Sequence, residues 1–231
     1  MIPLGDTPLR RNKPILTISI IVINVIVYLY TLGKSNILNS IFISKYGVVP
    51  FEITKGIDLI PLLGFPVYYT LLTSMFIHAG FWHIAGNMFF LWIFGDNVED
   101  ILGKFKFILI YLIGGLTGSF IQILSSPNSQ IPLIGASGAI SALMGAYIVL
   151  LPMASIKVLI PFIIPFIVQI PAIIFILIWF ITQLFSVASG SSGVGWWAHI
   201  GGFLAGVLLA YLLRTKQKPP SEVEVYYPNK W

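Results

Sequence analysis

Long apolar runs separated by short polar turns make up most of this chain. The run Ile15–Leu32 has 18 residues without a charged side chain, about the length that an α-helix needs to cross the hydrocarbon core of a bilayer. We predict five further spans, from about 81 to 94, 107 to 124, 136 to 151, 171 to 186 and 196 to 213. The pattern therefore predicts an all-α polytopic membrane protein, a bundle of six transmembrane helices.

Two connecting segments need separate interpretation. Residues 33–66 mix charged and apolar side chains, so we expect them to lie on the membrane surface or to pack against the bundle. The stretch 151–186 contains Lys157, Pro161, Pro165 and Pro171 and is long enough for one span or two. With one span, ten of the thirteen Lys and Arg fall on one side, and the positive-inside rule then places both termini in the cytoplasm.

This topology divides the chain into a cytoplasmic N-terminal tail (1–14), one six-helix domain (15–213) and a cytoplasmic C-terminal tail (214–231). The basic N-terminus before an apolar run is also typical of a signal peptide. We interpret the run as a retained helix, because no small-residue cleavage site follows it.

Composition supports a membrane protein and excludes several other classes. The chain is 57% hydrophobic and 9% charged, with a mean hydropathy of +0.94, too few charges to cover a soluble globule of this size. The net charge of +5 resides in the tails and loops and suits anionic lipid headgroups of the bilayer. No basic patch is interleaved with aromatic residues, so no nucleic-acid partner is predicted. The absence of cysteine excludes a thiol nucleophile and a thiolate metal site.

Three side chains that could carry chemistry fall near the starts of spans two, four and six: His83, Ser137 and His199. In this topology all three spans enter from the outer face, so the side chains lie at similar depth near the outer surface. A serine becomes a nucleophile at neutral pH when a base accepts its proton, and imidazole is the usual base. All eight acidic residues lie outside the predicted spans, so a serine hydrolase here would use a Ser–His dyad.

Small residues offer a way to bring this pair together. Gly202 and Gly206 share a face of span six, and Gly138 on span four could receive that face at short distance. The contact would bring His199 within reach of Ser137. Helix packing alone is the ordinary alternative for this serine and these glycines.

Acyl transfer also requires hydrogen-bond donors for the developing oxyanion. The first turn of span four offers unpaired backbone N–H groups, and His83 and Asn87 share one face of span two. A metal site built from His78, His83 and His199 is the alternative. It would have neither a carboxylate nor a thiolate ligand, so we predict no metal and no cofactor.

The sequence resembles the rhomboid family of intramembrane serine proteases. Three motifs carry the resemblance, in matching order and spacing over roughly residues 15 to 213: Gly135-Ala136-Ser137-Gly138, His83-x-x-x-Asn87, and Ala198-His199-Ile200-Gly201-Gly202-Phe203-Leu204-Ala205-Gly206.

The resemblance implies a role for each matched residue. Ser137 would be the nucleophile and His199 the general base. His83 and Asn87 would support the oxyanion, with the backbone of Gly135 close to it. Gly202 would permit close helix approach, and Glu99 would have a structural role.

Two positions depart from the pattern of some family members. The first loop reads Tyr69-Thr70 where some members have Trp-Arg, so the anchoring of that loop differs. Four residues past the serine, some members have an aromatic ring that stacks on the catalytic histidine, and here the residue is Ser141. The imidazole of His199 must therefore be held by other contacts.

The implied reaction is hydrolysis of a peptide bond in or beside a transmembrane segment of another membrane protein, close to the outer membrane face. A movable span five or a capping loop would admit the substrate, and the Gly/Ser-rich segment 189–195 is the flexible element. The short N-terminal tail favours a prokaryotic plasma membrane.

Two other functions are compatible with a polytopic membrane protein. A non-proteolytic relative that binds membrane clients would generally lack the serine or the histidine, and this chain has both. A transporter would require acidic residues within several spans, and the predicted spans contain none.

Overall fold

The computed structural model describes residues 1–7, 12–61, 64–161, 165–191 and 193–214. Arg10 and Arg11 of the predicted N-terminal tail, and residues 215–231 of the predicted C-terminal tail, lie outside the described residues. The described chain is mostly helical.

Three helices in the described ranges are long and apolar enough to cross a membrane: α1 (Ile15–Leu32), α7 (Lys104–Ser125) and α10 (Trp196–Leu213). Two shorter apolar helices are α8 (Ser137–Leu150) and α9 (Ala172–Ala188). The predicted bounds of the first and last spans are confirmed, because α1 and α10 begin and end at the residues where the apolar runs begin and end.

The second predicted span is a composite helix. It begins at Phe81 with α5 (Phe81–Phe90), continues through a π-helical turn (Leu91–Gly95) and ends with α6 (Asp96–Leu102). Glu99 on α6 is buried, and its carboxylate accepts hydrogen bonds from three groups of α1: Leu16 N, Thr17 N and Thr17 Oγ1, at 2.8 to 2.9 Å. The carboxylate therefore caps the N-terminus of α1, where unpaired N–H groups and the helix dipole favour a negative charge.

The connecting segment 33–66, predicted to lie on the membrane surface or to pack against the bundle, is partly helical. It contains α2 (Asn36–Tyr46) and α3 (Pro50–Lys55), and a short α4 (Thr70–Thr73) precedes α5. Lys45 at the end of α2 is buried, and its ammonium donates to the Asp58 carboxylate at 2.7 Å. This ion pair fixes the chain after α3 against α2.

A small antiparallel sheet corrects the all-α prediction. Among the described residues, β1 (Ile2–Asp6) pairs with β2 (Ser155–Ile160), and β2 pairs with β3 (Phe166–Pro171). The physical reason is that Pro161 and Pro165 cannot continue a helix, while β-branched Ile and Val favour extended backbone.

The first residues of the predicted N-terminal tail are therefore part of this sheet. The carboxylate of Asp6 accepts hydrogen bonds from the Tyr147 hydroxyl, at 2.5 Å, and from Asn97 Nδ2, at 2.9 Å. Strand β1 is thereby fixed to α8 near its C-terminus and to the first turn of α6.

The packing of α7, α8 and α10 forms the centre of the molecule. A Cβ placed on Gly202 would lie 2.0 Å from the carbonyl oxygen of Gly138, and one on Gly206 would lie 1.9 Å from that of Ala142. A Cβ on Gly114 of α7 would lie 2.1 Å from the Cβ of Ala142. Only glycine permits such backbone approach, so these positions set the distance between the three helices.

Candidate active site

Ser137 is the first residue of α8, and a turn that requires glycine leads into it. Gly135 has φ +114°, a backbone conformation that L side chains rarely adopt, and its N–H donates to the carbonyl oxygen of Ser74 at 2.9 Å. A Cβ on Gly135 would lie 2.7 Å from His83 Nε2. The glycine therefore allows both the turn and the close approach of the His83 ring.

The structure brings Ser137 and His199 together. His199 lies in the first turn of α10, and its Nε2 is 2.8 Å from Ser137 Oγ, a normal hydrogen-bond length. The close contact of Gly202 with the backbone of Gly138 lies next to this pair. The glycine packing of α8 and α10 thus sets the distance between the hydroxyl and the imidazole.

The other ring nitrogen of His199 contacts a residue that sequence reasoning missed. Nδ1 lies 2.8 Å from Oε1 of Gln183, a buried side chain on α9. The rings of Trp179 and Trp196 flank the imidazole, with centroid distances of 6.1 and 5.8 Å. The available signal was an amide inside an otherwise apolar helix, a position where a polar group is costly unless it is satisfied.

His83 and Asn87 lie on α5, on the opposite side of the Gly135 turn. Asn87 is buried, and its Nδ2 donates to the carbonyl oxygen of His83 at 2.8 Å. The Ala79 N–H points to His83 Nδ1 across a long 3.4 Å contact. Asn87 therefore stabilises the backbone of the turn that carries His83, and the His83 ring faces Gly135.

His78 is not part of the Ser137–His199 pair. It is buried, and its ring lies edge-on to that of His83 at a centroid distance of 4.9 Å. Neither ring nitrogen has a hydrogen-bond partner among the described residues. Within the residues that the structure describes, no group of three or more His, Asp or Glu side chains could hold a metal ion.

A small cavity of about 10 Å³ borders Ser137. Its lining includes Ser74, Ser119, Gly135 and Ala198. Ser74 and Ser119 are buried hydroxyl residues, so the cavity is partly polar and close to the smallest volume that holds one water molecule.

The arrangement has the parts of a nucleophilic site. The hydroxyl of Ser137 can donate its proton to the imidazole of His199, because the two heavy atoms are already at hydrogen-bond distance. The N-cap residue of α8, Ala136, supplies no side-chain hydrogen bond, so the first N–H groups of this helix are available to an anionic oxygen.

Comparison with known proteins identifies the family. The family model of the Rhomboid domain matches residues 66–216, which include Ser137, His199, Gln183, His83 and Asn87. The chain belongs to the rhomboid family. Rhomboid proteins are polytopic helical membrane proteins, and this chain is accordingly a multi-pass membrane protein.

Several rhomboid relatives share parts of this chain. The rhomboid protease GluP of Bacillus subtilis is 43% identical over 79 residues, 34% of this chain and 15% of the relative. Rhomboid protein 1, mitochondrial, of Saccharomyces cerevisiae is 26% identical over 173 residues, 70% of this chain and 46% of the relative. RHOMBOID-like protein 6, mitochondrial, of Arabidopsis thaliana is 35% identical over 151 residues, 63% of this chain and 43% of the relative. The chain thus spans less than half the length of each of these three.

One position at which this chain differs from some family members is Ser141, where they have an aromatic residue. Ser141 is buried, and its hydroxyl donates to the carbonyl oxygen of Ser137 within α8 at 2.6 Å. It makes no ring contact with His199, so the contacts of the imidazole come from Gln183, Trp179 and Trp196 instead.

Proposed function

We propose that this chain is an intramembrane serine endopeptidase that uses Ser137 as nucleophile and His199 as general base. The observation that carries the proposal is the 2.8 Å contact between Ser137 Oγ and His199 Nε2. A hydroxyl and an imidazole at this distance, beside a helix N-terminus with free N–H groups, form the minimal apparatus for acyl transfer.

The reaction follows from this geometry in two steps. Ser137 Oγ attacks the carbonyl carbon of the scissile peptide bond while His199 Nε2 accepts the hydroxyl proton. The imidazolium then gives this proton to the leaving amine, and an acyl-enzyme remains. A water molecule attacks the acyl-enzyme, His199 accepts the water proton, and collapse of the second intermediate returns the proton to Ser137.

The oxyanion would lie between α8 and α5. The first N–H groups of α8 have no side-chain cap, and the His83 ring lies beside Gly135 just before this helix. In this proposal His83 donates to the oxyanion, and Asn87 supports it through the backbone of His83. The cavity beside Ser137 is a natural place for the hydrolytic water.

The topology belongs to the same proposal. The spans would be α1, the composite helix α5–α6, α7, α8, α9 and α10, with both termini in the cytoplasm as the charge distribution predicts. The dyad then lies near the outer membrane face. Substrates are other transmembrane proteins, and α9 with the segment 189–195 admits them. A prokaryotic plasma membrane is the proposed location.

The test is cleavage of a model single-span substrate by the purified chain in liposomes. Ser137→Ala and His199→Ala should each lower the cleavage rate by roughly 10⁴-fold or more. Ser125→Ala is the matched control, because this exposed hydroxyl bonds, among the described residues, only to the carbonyl of Gln122 in its own turn. This variant should cleave like wild type.

Labelling with a serine-directed fluorophosphonate gives a direct second readout. Wild type and Ser125→Ala should be labelled, and Ser137→Ala should not. If Ser137→Ala cleaves like wild type, the assigned nucleophile is wrong. If wild type neither cleaves several substrates nor reacts with the label, the proteolytic function is wrong and binding of membrane clients becomes the better interpretation.

A further inference from the structure

Gln183 is a buried polar residue beside the dyad to which the proposed reaction assigns no role. It lies in the middle of α9 with 4% of its surface exposed. Its amide nitrogen Nε2 donates to the carbonyl oxygen of Trp179 and to the hydroxyl of Thr182, both at 3.0 Å. Its amide oxygen Oε1 faces Nδ1 of His199 at 2.8 Å.

The contacts with Trp179 and Thr182 decide which end of the amide faces the imidazole. The carbonyl oxygen of Trp179 can only accept a hydrogen bond, so the end of Gln183 beside it must be the NH₂ group. The Thr182 hydroxyl already donates to this same carbonyl, at 2.6 Å, and is left to accept from that NH₂. The oxygen of Gln183 must therefore point towards His199.

The amide oxygen in turn decides where the proton of the neutral imidazole lies. Oε1 of Gln183 is an acceptor only, so Nδ1 of His199 must carry a hydrogen to bond with it. The neutral ring then has its lone pair on Nε2, the nitrogen that faces Ser137 Oγ. This is the tautomer that a general base needs, because Nε2 has to accept the serine proton.

We propose that Gln183 is a positioning residue that fixes the Nδ1–H tautomer and the ring orientation of His199. The inference rests on the proposed serine protease function. A neutral amide does here what a carboxylate does in a three-residue triad, and it does so without placing a charge inside an apolar helix. The two tryptophan rings limit the tilt of the imidazole, and the hydrogen bond limits its rotation.

The activity test compares two substitutions of nearly equal size in the full chain in liposomes. Gln183→Met keeps the length of the side chain and removes the acceptor, so kcat should fall roughly 10- to 100-fold while KM stays within about twofold. Gln183→Glu keeps an acceptor oxygen in either protonation state, and when protonated it also keeps a donor for the Trp179 carbonyl. It should retain most of the wild-type kcat.

Ser125→Ala is again the matched control, because Ser125 lies on α7 and not on α9, and its hydroxyl bonds to the carbonyl of Gln122 in its own turn. It should leave kcat and KM unchanged. A merely structural role of Gln183 is contradicted by two results together: Gln183→Glu retains most of the wild-type kcat, and Gln183→Met loses kcat while its thermal unfolding temperature stays that of wild type.

The second readout does not depend on cleavage. In ¹⁵N-histidine-labelled protein, the imidazole signals lost in His199→Ala belong to His199, and they should report the Nδ1–H tautomer in wild type and in Gln183→Glu. In Gln183→Met the Nε2–H form should become populated. The proposal is overturned if wild-type His199 carries its proton on Nε2, or if Gln183→Met leaves both kcat and the tautomer unchanged. A wild type that cuts no substrate would remove the proposed function, and the tautomer would still decide the role of Gln183.

Discussion

Gly206→Ala is the sharpest test of how helix packing controls the site. A Cβ on Gly206 would lie 1.9 Å from the carbonyl oxygen of Ala142 and 2.6 Å from its Cα. Both atoms belong to the backbone of α8, so no change of side-chain rotamer relieves the clash. Helix α10 must then move away from α8.

The size of the effect follows from these distances. Ordinary contact begins near 3.4 Å, so the helices must separate by about 1.5 Å. Overpacking of this kind costs about 1 to 3 kcal/mol. The same displacement would carry His199 beyond hydrogen-bond distance of Ser137, since the present 2.8 Å leaves a margin of less than 1 Å. A misplacement of about 1 Å can lower a catalytic rate about 100-fold.

The assay is thermal unfolding in detergent together with substrate cleavage, with Gly86→Ala as the matched control. Gly86 is also in a helix, α5, and a Cβ there would meet nothing within 4 Å. Both substitutions gain the same helix propensity, about 1 kcal/mol, so their difference isolates the contact between α8 and α10. Gly206→Ala should unfold about 2 to 12 °C below Gly86→Ala.

Two outcomes would refute this reasoning. Equal unfolding temperatures for Gly206→Ala and Gly86→Ala would mean that α8 and α10 are not in backbone contact at this position. A destabilised Gly206→Ala that still cleaves at the wild-type rate would mean that this contact does not set the distance between Ser137 and His199.

Two further predictions concern the ends of the bundle. Glu99→Gln should lower the free energy of unfolding by about 1 to 3 kcal/mol, because the amide cannot accept from all the donors at Thr17 and its neighbour; thermal unfolding measures this, and an unchanged stability would contradict the capping role. The hydrogen bond from Lys45 holds the pKa of Asp58 below its usual 3.8, so this pair stabilises the packing of α2 against the segment after α3 above that pH. The contribution is lost as the pH falls through the lowered pKa. Burial raises the pKa of the nearby Glu52, which has the opposite effect on stability, so the Asp58 contribution is isolated by comparing wild type with Asp58→Asn. Hydrogen-exchange protection of α2 should fall more steeply with decreasing pH in wild type than in Asp58→Asn. Equal slopes would contradict a stabilising role of the Lys45–Asp58 pair.

The helical part of the fold was predictable because its signals are local. The apolar run of α1 is followed at once by Gly33, and α10 begins where Trp196 follows a Gly/Ser-rich segment. The run at α9 starts after Pro171, which is tolerated only at a helix N-terminus. Each boundary therefore depends on residues within a few positions of it.

The sheet was missed because its pairing is not local. Strand β1 pairs with β2 across more than 150 residues, with Ile2 opposite Leu159, and neither strand alternates clearly between apolar and polar residues. Short apolar segments of this kind cannot be assigned to strand or buried helix from periodicity alone. The hydrogen bond of Asp6 with Tyr147 that fixes β1 is equally invisible along the chain.

In the site, sequence motifs indicated the dyad and left out what orients it. Gly202 and His199 belong to one short motif, so their relation to Ser137 could be inferred from helix geometry and small-residue packing. Gln183 lies on a different helix and follows no such motif. Its relation to His199 depends on the rotation of α9 about its own axis, which the surrounding apolar residues do not specify.

In the proposed mechanism, the position of Gln183 also explains why no acid is needed near the dyad. A carboxylate would stabilise the imidazolium more strongly, but a charge buried among the apolar residues of α9 would have a large desolvation cost. The amide avoids that cost and is itself fixed by the carbonyl of Trp179, a backbone acceptor in its own helix. The hydrogen bonds of this series then run in one direction. The Ser137 hydroxyl donates to His199 Nε2, and His199 Nδ1 donates to Gln183 Oε1. Gln183 Nε2 in turn donates to the Trp179 carbonyl. Reversing any one of these groups would place two acceptors or two donors opposite each other. Because the Trp179 carbonyl can only accept, the backbone of α9 sets the direction.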